Sequence, residues 1–120
     1  MSINSAVLKE WLETEACALA GRVETAMFAL SDIAVQLRPL KDERDFLVRI
    51  GQADTDHGVQ LRRQLNALQT RWAEAYRVKE VTERDLAALR DLAAQEGWTI
   101  DAGPSPASIA AYLRTVGPLK

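Results

Sequence analysis

The chain has 120 residues, which is enough for one domain with a hydrophobic core, and we predict a single helical domain over residues 1–120. With 48% hydrophobic and 27% charged residues, its composition is typical of a folded protein and excludes a disordered chain. The net charge of -2 argues against a protein whose whole surface neutralises phosphates. Because Cys17 is the only cysteine, the chain cannot form an intrachain disulfide or a cysteine-based metal site, and we expect this thiol to be buried.

No apolar stretch approaches the roughly 20 residues that a membrane-spanning helix needs, so we expect no membrane partner. The first residues, MSINSAVLKEW, become polar too early for a signal peptide. We therefore expect a cytoplasmic protein.

The first predicted helix extends from about Ser5 to Leu37, with its N-cap at Asn4 or Ser5. Pro39 is predicted to end it, because proline lacks the amide hydrogen that the next turn would need. Small residues, among them Gly21, predict that another helix approaches this one closely. The apolar residues that recur at alternating steps of four and three, and so form one buried stripe, are Leu12, Ala16, Leu19, Val23, Ala26, Leu30, Ile33 and Leu37.

A second periodic series crosses the stretch IGQADTDHGVQL, residues 50–61. Its members are Leu47, Ile50, Asp54, His57, Leu61, Leu65, Leu68, Trp72 and Ala75. This unbroken register favours one continuous helix from Asp42 to about Lys79. The glycines and short polar residues of the stretch oppose it, since together they cost roughly 4 kcal/mol relative to alanine.

A helix broken near Gly51 is the alternative to the continuous one, and the sequence leaves both open. In the broken version Asp42 caps a short helix that ends at Ile50, and Gly51 supplies a left-handed residue. Asp54 or Thr55 then caps the next helix.

We predict that the first two helices fold back at residues 39–41 and form an antiparallel hairpin over residues 1–80. This fold places Trp11 near Trp72, His57 near Glu24, and Asp54 near Met27. A hydrogen bond between Glu24 and His57 would then fix the register of the seam, provided that the return helix is unbroken.

Two shorter helices are predicted in the C-terminal region, residues 81–120. Thr82 is the expected N-cap of the first, which Gly97 ends. Ser105 caps the second, in which Pro106 holds the favoured first position. The second helix ends at Gly117 and is expected to turn Ile109, Ala110, Leu113 and Val116 inward. The predicted fold class is therefore all-α, a long antiparallel helical hairpin with two shorter C-terminal helices.

The segment SPASIAAYLRTVG resembles the first helix of a helix-turn-helix, in which an I-A-x-x-L pattern precedes the turn. The resemblance covers about a dozen residues and implies DNA binding. Only three residues follow Gly117, which leaves no room for a recognition helix. We therefore do not expect sequence-specific DNA binding.

His57 is the only side chain with an ordinary pKa near neutrality, so acid-base chemistry of the usual kind would involve it. Asp54 and Asp56 stand beside it, but on a helix Asp56 points away from the other two, and a metal site needs more ligands. Glycine-rich phosphate-binding motifs are absent from the sequence. We predict no enzymatic activity, no cofactor and no metal.

Charge is divided between two segments of the predicted hairpin. Residues 60–79 have a net positive charge from Arg62, Arg63, Arg71, Arg77 and Lys79 against Glu74. Residues 1–36 have a net negative charge. This division favours pairing of the positive segment with the negative one, within the molecule or across a dimer. An acidic protein surface or nucleic acid is the alternative partner of the positive segment.

A rod of this kind cannot cover its whole apolar stripe, and uncovered apolar surface is typical of proteins that bind a partner. We therefore predict a protein-protein interaction module of bacterial or phage origin, an adaptor, chaperone or inhibitor, that also forms a homodimer. A nucleic-acid-binding accessory protein using the basic face of residues 60–79 is the alternative. The predicted partner-binding residues are Trp11, Arg62, Arg63, Arg71, Trp72 and Arg77.

Overall fold

The computed structural model describes residues 4–117, which form three helices and, within that range, no strand. The helices are α1 (Ser5–Arg49), α2 (Asp56–Gln95) and α3 (Pro106–Val116). α1 and α2 pack against each other as an antiparallel hairpin, and α3 packs mainly on α1. The predicted all-α hairpin is confirmed, although one short helix follows it where we expected two.

α1 continues through Pro39, so the predicted end at Leu37 and the predicted fold-back at residues 39–41 are wrong. Pro39 lies on the exposed side of the helix. Water can therefore donate a hydrogen bond to the Val35 carbonyl, to which the proline has no amide hydrogen to donate. Leu37 and Leu47, on either side of it, are buried in one cluster with leucines of α2. This packing keeps the helix continuous, and the short separate helix predicted to start at Asp42 is part of α1.

α1 and α2 are separated at residues 50–55, which confirms the predicted break near Gly51. The chain also reverses there, whereas the broken alternative kept the reversal at residues 39–41. Gly51 has a left-handed backbone with φ of 73°, and the next amide, that of Gln52, donates to the Leu47 carbonyl at 2.9 Å. The Thr55 side chain then caps α2 by accepting from the Gly58 amide at 3.2 Å. The predicted roles of Gly51 and Thr55 are therefore confirmed.

Gly58 makes this turn possible because it has no side chain. It is buried at the start of α2, and a Cβ atom there would lie 2.7 Å from the carbonyl carbon of Ala53. Backbone atoms cannot move away as a flexible side chain would. The return of the chain across the end of α1 therefore needs glycine at this position.

α2 passes through Thr82, which is buried inside the helix and is not the N-cap that we predicted. The helix ends where predicted, with Gly97 left-handed at φ of 78° and the Trp98 amide bonded to the Ala93 carbonyl at 2.9 Å. α3 begins as predicted, with the Ser105 hydroxyl accepting from the Ser108 amide at 3.1 Å.

The core is a strip of three clusters along the hairpin, here named by position. The open-end cluster comprises Ala16, Leu19, Ala20 and Leu86. The middle cluster comprises Val23, Met27, Leu30, Ala34, Tyr112 and Val116. The turn-end cluster comprises Ile33, Leu37, Leu47, Leu61, Leu65 and Leu68. All eight residues of the stripe predicted on α1 are buried.

The molecule is elongated, with extents of 70 × 27 × 16 Å and a radius of gyration of 20.3 Å. A compact domain of this length has a radius of gyration of about 14 Å. Both long helices therefore expose surface along most of their length.

Candidate protein-binding surfaces

α3 is attached to the middle of α1 by two core residues and a polar contact. Tyr112 and Val116 belong to the middle cluster. Glu24 of α1 accepts from the Ser108 hydroxyl at 2.7 Å and from the Ser105 amide at 3.3 Å. The hydrogen bond from Ser108, followed by that from the Ser105 backbone, lowers the pKa of Glu24 below its ordinary value.

A cleft of about 500 Å³ lies beside α3, between it and α2, and we call it the α3 cleft. Apolar residues of all three helices line it, and Ile109 and Leu113 at its edge are 41% and 55% exposed. This arrangement corrects the sequence prediction, which turned Ile109, Ala110 and Leu113 inward. α3 contacts only one side of the hairpin, so only the face with Tyr112 and Val116 is buried.

Charged residues of α2 form the polar side of the α3 cleft. Lys79 pairs with Glu83 at 2.5 Å, and its ammonium lies 5.2 Å from the centre of the Tyr112 ring. Partial burial lowers the pKa of Lys79, but the hydrogen bond that it donates to Glu83 and the charge of that carboxylate outweigh this, so the net pKa is raised. Arg90 reaches across to the Ala102 carbonyl in the segment before α3. The cleft thus combines apolar walls with a charged border.

A second surface, the open groove, lies on the side of the hairpin away from α3 and has a volume of about 530 Å³. Apart from Arg22, its lining is of small or apolar residues: Ala18, Gly21, Thr25, Ala26 and Ala29 of α1 with Ala75 and Val78 of α2. A Cβ atom added at Gly21 would meet nothing within 4 Å. No element of the described chain covers this groove.

The predicted seam contact between Glu24 and His57 is wrong, because the hairpin turns near Gly51 and its register is shifted. His57 lies near the turn, with its Nε2 atom 2.5 Å from Glu43 Oε1 of α1. Asp54 is fully exposed and lies 3.5 Å from Arg62, far from Met27. The side chains of Glu24 and His57 therefore serve two separate contacts.

The predicted proximity of Trp11 and Trp72 is wrong for the same reason. Trp72 is half-buried between the middle and turn-end clusters. Trp11 lies on the first part of α1, where its side chain is 51% exposed. Trp11 remains a candidate for partner contact, whereas Trp72 is mainly part of the core.

The arginines predicted to form a basic face are spread around α2. Successive residues of an α-helix lie about 100° apart, so Arg62 and Arg71 project from opposite sides, and Arg63 and Arg77 project between them, away from α1. Arg62 also contacts the Ala53 carbonyl at 3.4 Å. These side chains do not make one continuous basic surface, and nucleic-acid binding gains no support from them.

The described residues include no group of three or more His, Cys, Asp or Glu side chains placed to hold a metal ion. Among them no helix is long and apolar enough to span a membrane. Cys17 is exposed, contrary to expectation, because it projects from α1 beside the buried stripe.

The α3 cleft was not predicted from the sequence. One signal for it was present, because Lys79 and Glu83, which border the cleft, are four residues apart and so pair on one side of a helix. The orientation of α3, which creates the cleft, had no such signal, because its large apolar residues lie within about 100° of one another around the helix and their spacing does not show which of them contact α1.

Comparison with known proteins gave no relatives: no family model matches the chain, and neither the curated proteins nor the solved structures include a match.

Proposed function

We propose that this chain is a non-enzymatic protein-protein interaction module that binds a partner protein through a helical face. The observation that carries the proposal is the elongated shape, with its radius of gyration of 20.3 Å, and the apolar side chains that it leaves exposed. In the described range these are Val7, Trp11, Phe28, Val35, Phe46, Val48, Ile50, Val78, Val81, Leu92, Ile109 and Leu113.

Covering such side chains contributes a substantial part of the energy of binding. Full burial of one Leu, Ile or Phe side chain is worth about 1.5–3 kcal/mol. Part of this gain offsets the entropy that both proteins lose on association. A partner that covers three or four of them gains a burial energy of the same order as that cost, and the polar contacts at the border add to it.

The α3 cleft is the surface that we assign to the partner. Ile109 and Leu113 provide exposed apolar anchors, and Tyr112 lies at the base of the cleft. The charged side chains of Lys79, Glu83 and Arg90 border them, which is the arrangement of an interface with an apolar centre and a polar rim. An amphipathic helix of the partner, with its apolar face in the cleft, fits this chemistry.

The role that we infer is that of an adaptor, chaperone or inhibitor, of bacterial or phage origin. We place this interaction in the cytoplasm, where an exposed thiol such as that of Cys17 stays reduced.

The test uses the full chain as bait in a lysate of its source cells. The proteins retained are identified by mass spectrometry, the leading one is purified, and the dissociation constant of the complex is measured by calorimetry. We expect the double variant Ile109→Glu with Leu113→Glu to weaken binding at least tenfold, because it places two charges on the apolar edge of the cleft.

The control is Ala107→Glu, which adds a charge on the exposed side of α3 away from the cleft. It should leave the dissociation constant unchanged. Equal binding by wild type and the double variant would overturn the assignment of the cleft. If no purified candidate binds the wild-type chain at micromolar concentration, the proposed function itself is overturned.

A further inference from the structure

The open groove is the second apolar surface of the hairpin, on the side opposite the α3 cleft. We propose that a second copy of this chain covers it, forming an antiparallel dimer about a two-fold axis that crosses the groove at Val78. The inference goes beyond the proposed function, since it uses a different surface and requires no other protein.

The small side chains of the groove allow a helix to approach closely. Ala18, Thr25 and Ala29 line it on α1, and Val78, which is 52% exposed, lines it on α2. Glycine inside a helix is less favourable than alanine, yet nothing within the chain lies within 4 Å of a Cβ atom at Gly21. The packing of one copy does not require this glycine, and the close approach of a helix from outside would account for it.

The charges on α2 identify a second copy as the occupant. Arg71 and Asp85 each lie seven residues from Val78, and seven residues are close to two helical turns, so all three share one side of α2. Both charged side chains are exposed, and neither forms an ion pair within the described chain. A two-fold axis at Val78 places Arg71 of each copy opposite Asp85 of the other.

The same axis pairs opposite charges on α1. Leu19 shares a cluster with Leu86, and Leu37 shares one with Leu68, so residue 27 of α1 lies level with residue 78 of α2. Arg22 and Asp32 each lie five residues from position 27, are exposed, and have no ion-pair partner in the part of the chain described. The axis therefore brings Arg22 of each copy level with Asp32 of the other.

The length of the hairpin also fits this dimer. Position 27 is the middle residue of α1, Ser5–Arg49, so the two copies overlap along the whole helix. The rod is 70 Å long, so a contact strip about 12 Å wide along it reaches the roughly 800 Å² per partner that a stable interface buries. α3 lies on the other side of the hairpin and does not obstruct the approach.

The first experiment measures mass by sedimentation equilibrium over a range of concentrations. Wild type should have twice the mass of the 13.3 kDa chain. Arg71→Asp should weaken the dimer at least tenfold, because it places a new carboxylate against Asp85 of the other copy, and Asp85→Arg should weaken it equally by placing two guanidinium groups together. The double variant, which exchanges the two charges, should restore the dimer.

The matched control is Arg63→Asp, which makes the same change of charge on the side of α2 that faces away from α1. It should leave the dimer intact, and circular dichroism should show the same helix content in every variant. A wild-type chain that stays monomeric at 100 µM would overturn the proposal. If the single variants do not weaken the dimer, or if the double variant does not restore it, the proposed position of the two-fold axis is wrong.

A cross-linking experiment tests the axis at its centre. In a Cys17→Ser background, Val78→Cys should form a disulfide-linked dimer under mild oxidation, because the two copies of residue 78 meet at the axis. Arg77→Cys, one residue away but on the outer side of α2, should not. Equal cross-linking of the two variants would contradict the arrangement. Neither experiment involves Ile109 or Leu113, so its outcome is independent of partner binding at the α3 cleft.

Discussion

Residues that disfavour helices have different consequences in two regions of this molecule, the turn between α1 and α2 and the body of α1. At the turn, Gly51 lies at the end of α1 and Gly58 lies in the first turn of α2. In the body of α1, Gly21 and Pro39 lie inside a continuous helix of 45 residues. Residues of low helix propensity therefore mark a helix end in one place and are accommodated inside a helix in the other.

The difference follows from what surrounds each residue. At the turn, the amide of Gln52 and the side chain of Thr55 satisfy the backbone groups that a helix end leaves unpaired. Around Pro39, burial of Leu37 and Leu47 against α2 is worth about 1.5–3 kcal/mol for each side chain. Together these gains are equal to or larger than the roughly 3 kcal/mol that a proline costs inside a helix.

The largest effect that we predict is at Gly58. Gly58→Ala should lower the free energy of unfolding by about 3 kcal/mol or more, because the new methyl group overlaps the Ala53 backbone and the turn must shift. Urea denaturation followed by circular dichroism measures the change. A loss below about 1 kcal/mol would show that the turn adapts easily and would weaken the contrast between the two regions.

Pro39→Ala should raise the free energy of unfolding by about 2–3 kcal/mol, since alanine restores the missing backbone hydrogen bond inside α1. Pro106→Ala is the matched control, because Pro106 occupies the first position of α3, where proline is favoured. It should change stability by less than about 0.5 kcal/mol. Equal effects of the two substitutions in urea denaturation would contradict our account.

Thr55→Ala should lower the free energy of unfolding by about 1 kcal/mol, because the Gly58 amide loses the side chain that caps it. The control is Thr14→Ala, in which an exposed threonine inside α1 loses only a bond to the Glu10 carbonyl, already used by the helix. That variant should be neutral or slightly more stable. Thermal melts of the two variants side by side give the comparison.

Gly21→Ala should raise the free energy of unfolding by up to about 1 kcal/mol in the Arg71→Asp background, where we expect a monomer with open space at Gly21. In wild type the gain should be smaller, because the second copy approaches that position. Denaturation of the protein with and without Gly21→Ala, in the wild-type and in the Arg71→Asp background, measures the gain in stability in each. Identical gains would show that no helix approaches Gly21 from outside.

The smallest effect concerns the attachment of α3 to the body of α1. The hydrogen bonds from Ser108 and Ser105 lower the pKa of Glu24 in the folded state, so they stabilise the fold above the ordinary carboxylate pKa. This stabilisation is lost as the pH falls through the lowered pKa. Glu24→Gln should therefore be less stable than wild type at pH 7, with a difference that disappears toward pH 3 in thermal melts. A difference independent of pH would exclude the carboxylate as its cause.

The helical class, the α1 stripe and the caps at Thr55, Gly97 and Ser105 could be predicted from the sequence because they depend on local spacing, whereas the helix end predicted at Leu37 and the cap predicted at Thr82 are wrong. Leu12 through Leu37 recur at helical steps, and Ser105 and Gly97 are recognisable caps. The position of the turn could not be predicted, because the sequence shows the local cost of Pro39 to a helix but does not show the burial of Leu47 against α2. Because the turn was predicted at the wrong position, the expected pairing of residues between α1 and α2 was shifted, and the expected neighbours of His57 and Trp11 were wrong.

The core strip has a consequence for how the molecule opens. Its three clusters follow one another along the hairpin, so the hairpin resembles a linear array in which local unfolding begins at the termini. Only the middle segment is held by a third helix, through Tyr112 and Val116. Amide hydrogen exchange should therefore be slowest around Leu30 and fastest toward residues 5–12 and 90–95, so that fraying at the open end leaves the open groove intact and reaches Arg90 at the border of the α3 cleft.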